Sequence, residues 1–145
     1  MTDLSDGWDF TAKIEEMSES EVRERIEASM AYEIPEKIVP IPYAAGIEET
    51  VEYRYPELSA RCPMTGLRDL YTVIIRFSPE KWLPELKSLK MYFSGYDELP
   101  ISHEHLAAKI YRDFKAAVEP AEFHLRLDVA VRGGIKTTVE LGQTF

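Results

Sequence analysis

Leu70-Tyr71-Thr72-Val73-Ile74-Ile75-Arg76-Phe77 is a run of β-branched and aromatic residues almost without interruption. Such side chains suit a pleated surface with neighbours on both sides, so the run predicts a central strand. Upstream, over residues 48–55, Val51, Tyr53 and Tyr55 alternate with Glu52 and Arg54, the period of a strand with one wet face. Downstream, Phe123, Leu125, Leu127 and Val129 alternate with His124, Arg126 and Asp128, which predicts a strand over 122–131. Gly133-Gly134 turns the chain, and residues 135–141 return as the hairpin partner.

Two helices fill the gap between these strand pairs. Pro84 opens a helical segment, Glu85-Leu86-Lys87-Ser88-Leu89-Lys90-Met91-Tyr92-Phe93, that stops near Gly95. A second helix starts near Ser102, spaces Leu106, Ile110, Phe114 and Val118 by four along one face, and ends at Pro120. The order ββααββ implies an α+β layer, an antiparallel sheet with both helices on one face. So few strands leave open edges, and closing several copies into an oligomeric barrel removes them, so a homo-oligomer is expected.

The N-terminal third reads differently. Residues 20–30 form a polar helix opened by Ser18 or Ser20, with Glu21 placed as in a capping box and only Val22, Ile26 and Met30 as an apolar face. Pro35, Pro40 and Pro42 make residues 34–46 extended. The chain thus divides into a helix and arm over 1–46 and a domain over 47–145.

At 145 residues and 45% apolar composition, the chain is long enough to bury a core without disulfides or metals. Its net charge of −9 argues against nucleic acid as a partner, because phosphate binding needs clustered Lys and Arg. A small-molecule substrate fits better. A lone cysteine excludes an internal disulfide, and no apolar run resembles a leader or a membrane span. The expected location is the cytoplasm, with no membrane partner. With three histidines and no metalloprotease-like pair, no metal site is expected. Neither a Walker loop nor Gly-x-Gly-x-x-Gly occurs, so a nucleotide cofactor would bind outside a Rossmann unit.

The lone cysteine sits in Cys62-Pro63-Met64-Thr65-Gly66-Leu67-Arg68-Asp69, which puts a nucleophile and a proton donor on one turn-forming loop between strands. Arg61 or Arg68 would favour its thiolate; the alternative is an inert buried thiol. His103-Glu104 begins the second helix. Glu104 either answers the helix dipole or accepts hydrogen bonds from the amidine-like edge of a purine, with His103 assisting. His105 and His124 read as surface or strand residues. Lys87 and Lys90, on the helix that carries Tyr92, face either a phosphate or plain solvent. Arg132-Gly133 is either a phosphate clamp or a hairpin turn with an incidental charge.

Taken jointly, Cys62-Pro63-x-Thr65-Gly66-x-x-Asp69, Glu85-Leu86-Lys87-Ser88-Leu89-Lys90-x-Tyr92 and His103-Glu104 resemble the QueF family, the NADPH-dependent 7-cyano-7-deazaguanine reductases of queuosine biosynthesis, over roughly residues 57–142. The resemblance implies the tunnelling fold, a ββααββ unit assembled into barrels with active sites between subunits. It also implies that the Cys62 thiolate adds to the nitrile carbon as a thioimide, that Asp69 protonates the nitrogen, and that two hydrides from NADPH complete the amine. Glu104 would read the 2-amino and ring N–H groups of the base, with His103 beside the reacting centre and Pro84, Glu85 and Leu86 as further substrate contacts. Lys87, Lys90, Tyr92, Arg132 and Gly133 would hold NADPH. Leu67-Arg68, Met91 and Ser102 depart from the family pattern. An archaeal branch resembles the chain around residues 103–120 and makes an amidine from a tRNA-borne nitrile with ammonia, but lacks the lysine-bearing signature. Two further readings are a pterin-type cyclohydrolase, which would need a zinc site, and an assembly module with a structural Cys62.

Overall fold

The computed structural model describes residues 8–142. After a single 3-10 turn at Ile14–Glu16 come α1 (Glu19–Ala31), β1 (Pro40–Pro42), β2 (Val51–Arg61), β3 (Arg68–Ser78), β4 (Trp82–Pro84), α2 (Leu86–Ser94), α3 (His103–Val118), β5 (Glu122–Val129) and β6 (Thr138–Gly142). The four long strands make one antiparallel sheet in the order β2-β3-β5-β6. The expected ββααββ order is therefore the order found, with β1 and β4 added as a small antiparallel ribbon.

β3 is central, as its composition requires, but only one of its faces is covered. Tyr71, Val73, Ile75 and Phe77 are buried, whereas Leu70 and Arg76 are exposed and Ile74 is half-buried. Alternation along the strand turns the first set toward the helices. β2 outruns its expected end at Tyr55 and continues to Arg61, because a bulge between Tyr55 and Leu58 absorbs Pro56 and Glu57. Proline has no N–H for the ladder, so the break in register lets the strand pass through it. Beyond the bulge Leu58, Ser59 and Ala60 are all buried.

At the other end of the sheet, both glycines of the 133–134 turn have positive φ, at 69° and 85°, and Arg132 bridges Ile135 across it. The ladder is then interrupted. β5 stops at Val129 and β6 begins only at Thr138, with Lys136 Nζ donating to the Val129 carbonyl at 2.8 Å inside the gap.

Leu106, Ile110, Phe114 and Val118 of α3 are all buried, as their four-residue spacing predicts. Phe114 meets Phe77 and Phe123, ring centroids 5.2 and 4.9 Å apart, and so joins helix to sheet. α2 contributes Leu89, Tyr92 and Phe93, the last stacked on Tyr55 at 4.9 Å. Ile34 and Ile38 of the extended arm enter the same core. α1 completely buries only Ser29, whose hydroxyl donates to the Pro100 carbonyl at 2.6 Å. Its polar face and Ser18 cap match the sequence reading.

Replacing Phe114 by Ala removes the ring shared by the sheet and α3 and is expected to lower unfolding free energy by about 3–5 kcal/mol in urea titration. A loss below about 1 kcal/mol would contradict the placement of this ring at the centre of the core.

Candidate active site

Two backbone hydrogen bonds set the site. Arg61 N–H donates to the Leu99 carbonyl at 3.0 Å, and Ile101 N–H donates to the Arg61 carbonyl at 3.1 Å. This isolated parallel bridge ties the end of β2 to the segment that enters α3. The Cys62 loop and the first turn of α3 are thereby held side by side.

The loop closes on itself. Gly66 N–H donates to the Cys62 carbonyl at 2.9 Å, Cys62 N–H donates to the Leu67 carbonyl at 2.8 Å, and Gly66 takes a φ of 73° that suits glycine. A side chain at position 66 would also sit 3.0 Å from the Phe10 ring. Trp8 Nε1 donates to the Pro63 carbonyl at 3.0 Å, so residues 8–10 lie along the loop. Cys62 itself is half-buried.

Arg61 and Arg68, expected to favour the thiolate, make their ion pairs with a carboxylate. Both are paired with Glu98 at 2.6 Å, Arg61 also donates to the Gly66 carbonyl, and Arg68 to the Asp97 carbonyl. The two guanidiniums, Arg68 foremost, hold the Glu98 carboxyl below its ordinary range. Their charge fixes the loop.

Asp69 is buried near the start of β3, with Arg132 Nη1 of the hairpin tip 3.6 Å from its Oδ1. Two residues on, Tyr71 faces the same way, and its hydroxyl lies 2.8 Å from His103 Nδ1, the rings meeting edge to face at 5.5 Å. Burial pushes the Tyr71 phenol far up, and Asp69, Cys62 and Glu104 push it further while Arg132 opposes them. The charges of four expected site groups therefore bear on one hydroxyl, and a fifth group, His103, is hydrogen-bonded to it.

Ser102 caps α3, its Oγ accepting from His105 N–H at 3.4 Å and lying 2.5 Å from His105 Nδ1. The side-chain cap is thus Ser102, while Glu104 stands in the first turn, exposed and with no hydrogen-bond partner among the described residues. A free carboxylate beside an imidazole, a half-buried thiol and a buried acid suits a ligand that offers N–H groups at one end and an electrophile at the other. His105 is held by Ser102, and His124 lies on β5 with Nε2 3.5 Å from Glu140.

The second group of expected residues lies on and around α2. Pro84 is buried in β4, Leu86 is exposed, and Glu85 is the N-cap, its carboxylate accepting from Lys87 N–H and from Ser88 N–H at 3.1 Å. Lys87 and Lys90 face solvent and have no ion-pair partner among the described residues. Tyr92 differs from the sequence expectation. It is 2% exposed, and its hydroxyl donates to Asp113 at 2.7 Å and meets Tyr96 at 2.5 Å, so it belongs to the core under α2 rather than to a cofactor surface. Among the described residues, no hydrogen bond or ion pair joins α2 to the Cys62 group; Gly133 is exposed beside Arg132. Sequence reasoning passed over Tyr71 and Glu98. Period two from Asp69 places Tyr71 on its face, whereas no local pattern pairs Glu98 with two arginines 30 or more residues away.

An antiparallel sheet backed by helices, with a cysteine, an acid and a His-Glu pair in linked segments, defines a class of small α+β proteins. Residues 69–144 match the family model described as QueF-like protein, and the chain belongs to that family. A 7-cyano-7-deazaguanine reductase described as NADPH-dependent, from Nostoc sp., is 39% identical over 61% of this chain and 65% of its own. The chain thus spans about two thirds of that relative. The enzyme of the same name from Wolinella succinogenes is 33% identical over 74% of this chain and 86% of its own, and that from Chloroherpeton thalassium 40% identical over 62% and 78%. A crystal structure of the archaeosine synthase QueF-Like in the apo form superposes with a TM-score of 0.56 at 21% identity, covering 68% of this chain and 95% of the other. The two share the tunnelling fold.

Glu98 contributes stability above the ordinary carboxylate value of 4.5, and that contribution is lost as pH falls through its lowered folded value. Glu98→Gln is therefore expected to be less stable than the parent at neutral pH in urea titration, with the gap closing in acid. A gap that does not change with pH would contradict the role of the ion pairs.

Proposed function

We propose that the protein is a nitrile oxidoreductase that reduces 7-cyano-7-deazaguanine to 7-aminomethyl-7-deazaguanine with NADPH, in the cytoplasm, as a homo-oligomer. The observation that supports this reading is the Arg61–Pro100 bridge, which holds the loop of Cys62 and Asp69 beside the helix start of His103 and Glu104, with Tyr71 hydrogen-bonded to His103, in a chain whose relatives carry that name.

The Cys62 thiolate adds to the nitrile carbon, and an S–C bond forms as one C–N π bond becomes a lone pair on nitrogen. Asp69 delivers a proton to that nitrogen, which gives a neutral thioimide and avoids a free nitrogen anion. Glu104 accepts from the 2-amino and ring N–H groups of the base, a pairing of a charged acceptor with two donors. His103 lies beside the reacting carbon, and Pro84, Glu85 and Leu86 complete the substrate surface. Lys87 and Lys90, exposed and unpaired among the described residues, fit an anionic cofactor, as does exposed Arg132 with the unhindered backbone of Gly133. NADPH, when bound, supplies two hydrides, one per molecule, and two protons balance the four-electron reduction.

The archaeosine synthase fold partner favours a second reading, amidine formation with ammonia. Nitrile-dependent oxidation of NADPH separates the two. The reductase reading predicts oxidation of two NADPH per nitrile, and ammonia-dependent consumption of a tRNA-borne nitrile without NADPH oxidation would overturn it.

Asp69→Asn is expected to lower kcat by about 100-fold or more while substrate KM changes little; an unchanged kcat would remove Asp69 as the acid. Lys87→Ala with Lys90→Ala is expected to raise KM for NADPH about ten-fold or more. A rise in the nitrile KM alone would refute the cofactor assignment.

A further inference from the structure

Tyr71 is a buried tyrosine that the proposed chemistry does not use, yet its hydroxyl meets His103 of the site. Cys62 from the loop, Asp69 from its own strand, Glu104 from α3 and Arg132 from the hairpin tip all act on it. Its one hydrogen-bond partner among the described residues is His103 Nδ1, at 2.8 Å. Burial and the neighbouring negative groups keep the phenol protonated. A buried O–H that accepted from Nδ1–H would leave its own hydrogen unplaced, at a cost that folded proteins avoid. Donation to Nδ1 places it.

We propose that Tyr71 is a positioning residue for His103: its hydroxyl donates to Nδ1 and fixes the imidazole as the Nε2–H tautomer, so that Nε2 meets the ligand as a hydrogen-bond donor. The edge-to-face contact of the two rings at 5.5 Å restrains the plane of the imidazole as well. β3 supplies the rigidity. Tyr71 is paired in register with Leu58 on one side and Val129 on the other, so the hydroxyl is delivered from the middle of the sheet and not from a loop. One strand therefore carries both the acid, Asp69, and the group that orients the imidazole.

The inference deepens the reductase reading and rests on it for its kinetic consequence, but the tautomer is measurable without catalysis. Nitrogen NMR of protein with labelled histidine, with the His103 signals assigned by their loss in His103→Asn, is expected to show an unprotonated Nδ1 and a protonated Nε2. The opposite tautomer in the parent protein would overturn the proposal, whatever the enzyme does. Tyr71→Phe, which removes only the hydroxyl, is expected to mix the two tautomers and to lower kcat about ten-fold with the nitrile KM within about two-fold. In the His103→Asn background the same change is expected to add no further loss. Parent-like kcat in Tyr71→Phe alongside an active parent refutes the positioning role. An inactive parent with the predicted tautomer refutes the reductase reading and leaves the geometry of Tyr71 standing.

Discussion

Everything at the site depends on the short parallel bridge between Arg61 and Pro100. β2 would otherwise end in a hairpin loop with nothing beyond it. Because the Arg61 amide and carbonyl are both taken by the 99–101 segment, the loop that follows is anchored beside the start of α3. The Glu98 carboxylate gathers Arg61 and Arg68 across the same seam. A buried serine of α1 ties the segment from its other side through the Pro100 carbonyl. The segment that carries a thiol from one hairpin and the one that carries a carboxylate at a helix end are thus held together through main-chain bonds, which hold their geometry better than side chains on mobile loops do.

That anchoring gives the Cys62 neighbourhood its electrostatic character. The arginines nearest the loop in sequence, Arg61 and Arg68, are paired with Glu98, while Arg132 of the far hairpin lies 3.6 Å from the buried Asp69. Arginine is suited to such a shared position, since its planar fork can turn from a carboxylate to a phosphate without losing charge.

The sheet was legible because the strands repeat every two residues and α3 every four, and both periods survive into the structure at Phe123, Leu125 and Leu127 and at Leu106, Ile110 and Phe114. The reading of β2 stopped at Tyr55 and missed its continuation to Arg61, since a bulge is a two-strand event and leaves no mark in one strand alone. Of the candidate site, Cys62, Asp69, His103 and Glu104 could be picked out in the sequence. It was not legible in what holds them. Glu98 and Tyr71 act on partners about 30 residues away, and only the folded chain brings such pairs together. Tyr92 shows the reverse case, a polar residue with a plausible surface role whose hydroxyl is instead spoken for by Asp113 and Tyr96.

The central claim is that the Cys62 sulfur bonds reversibly to a cyano carbon held in this site, and the most direct measurement is an intact mass spectrum of the protein mixed with 7-cyano-7-deazaguanine in the absence of NADPH. The account predicts a mass increase equal to one nitrile molecule per chain, absent in Cys62→Ala. The parent protein showing no adduct while turning the nitrile over, or an adduct that persists in Cys62→Ala, would contradict it.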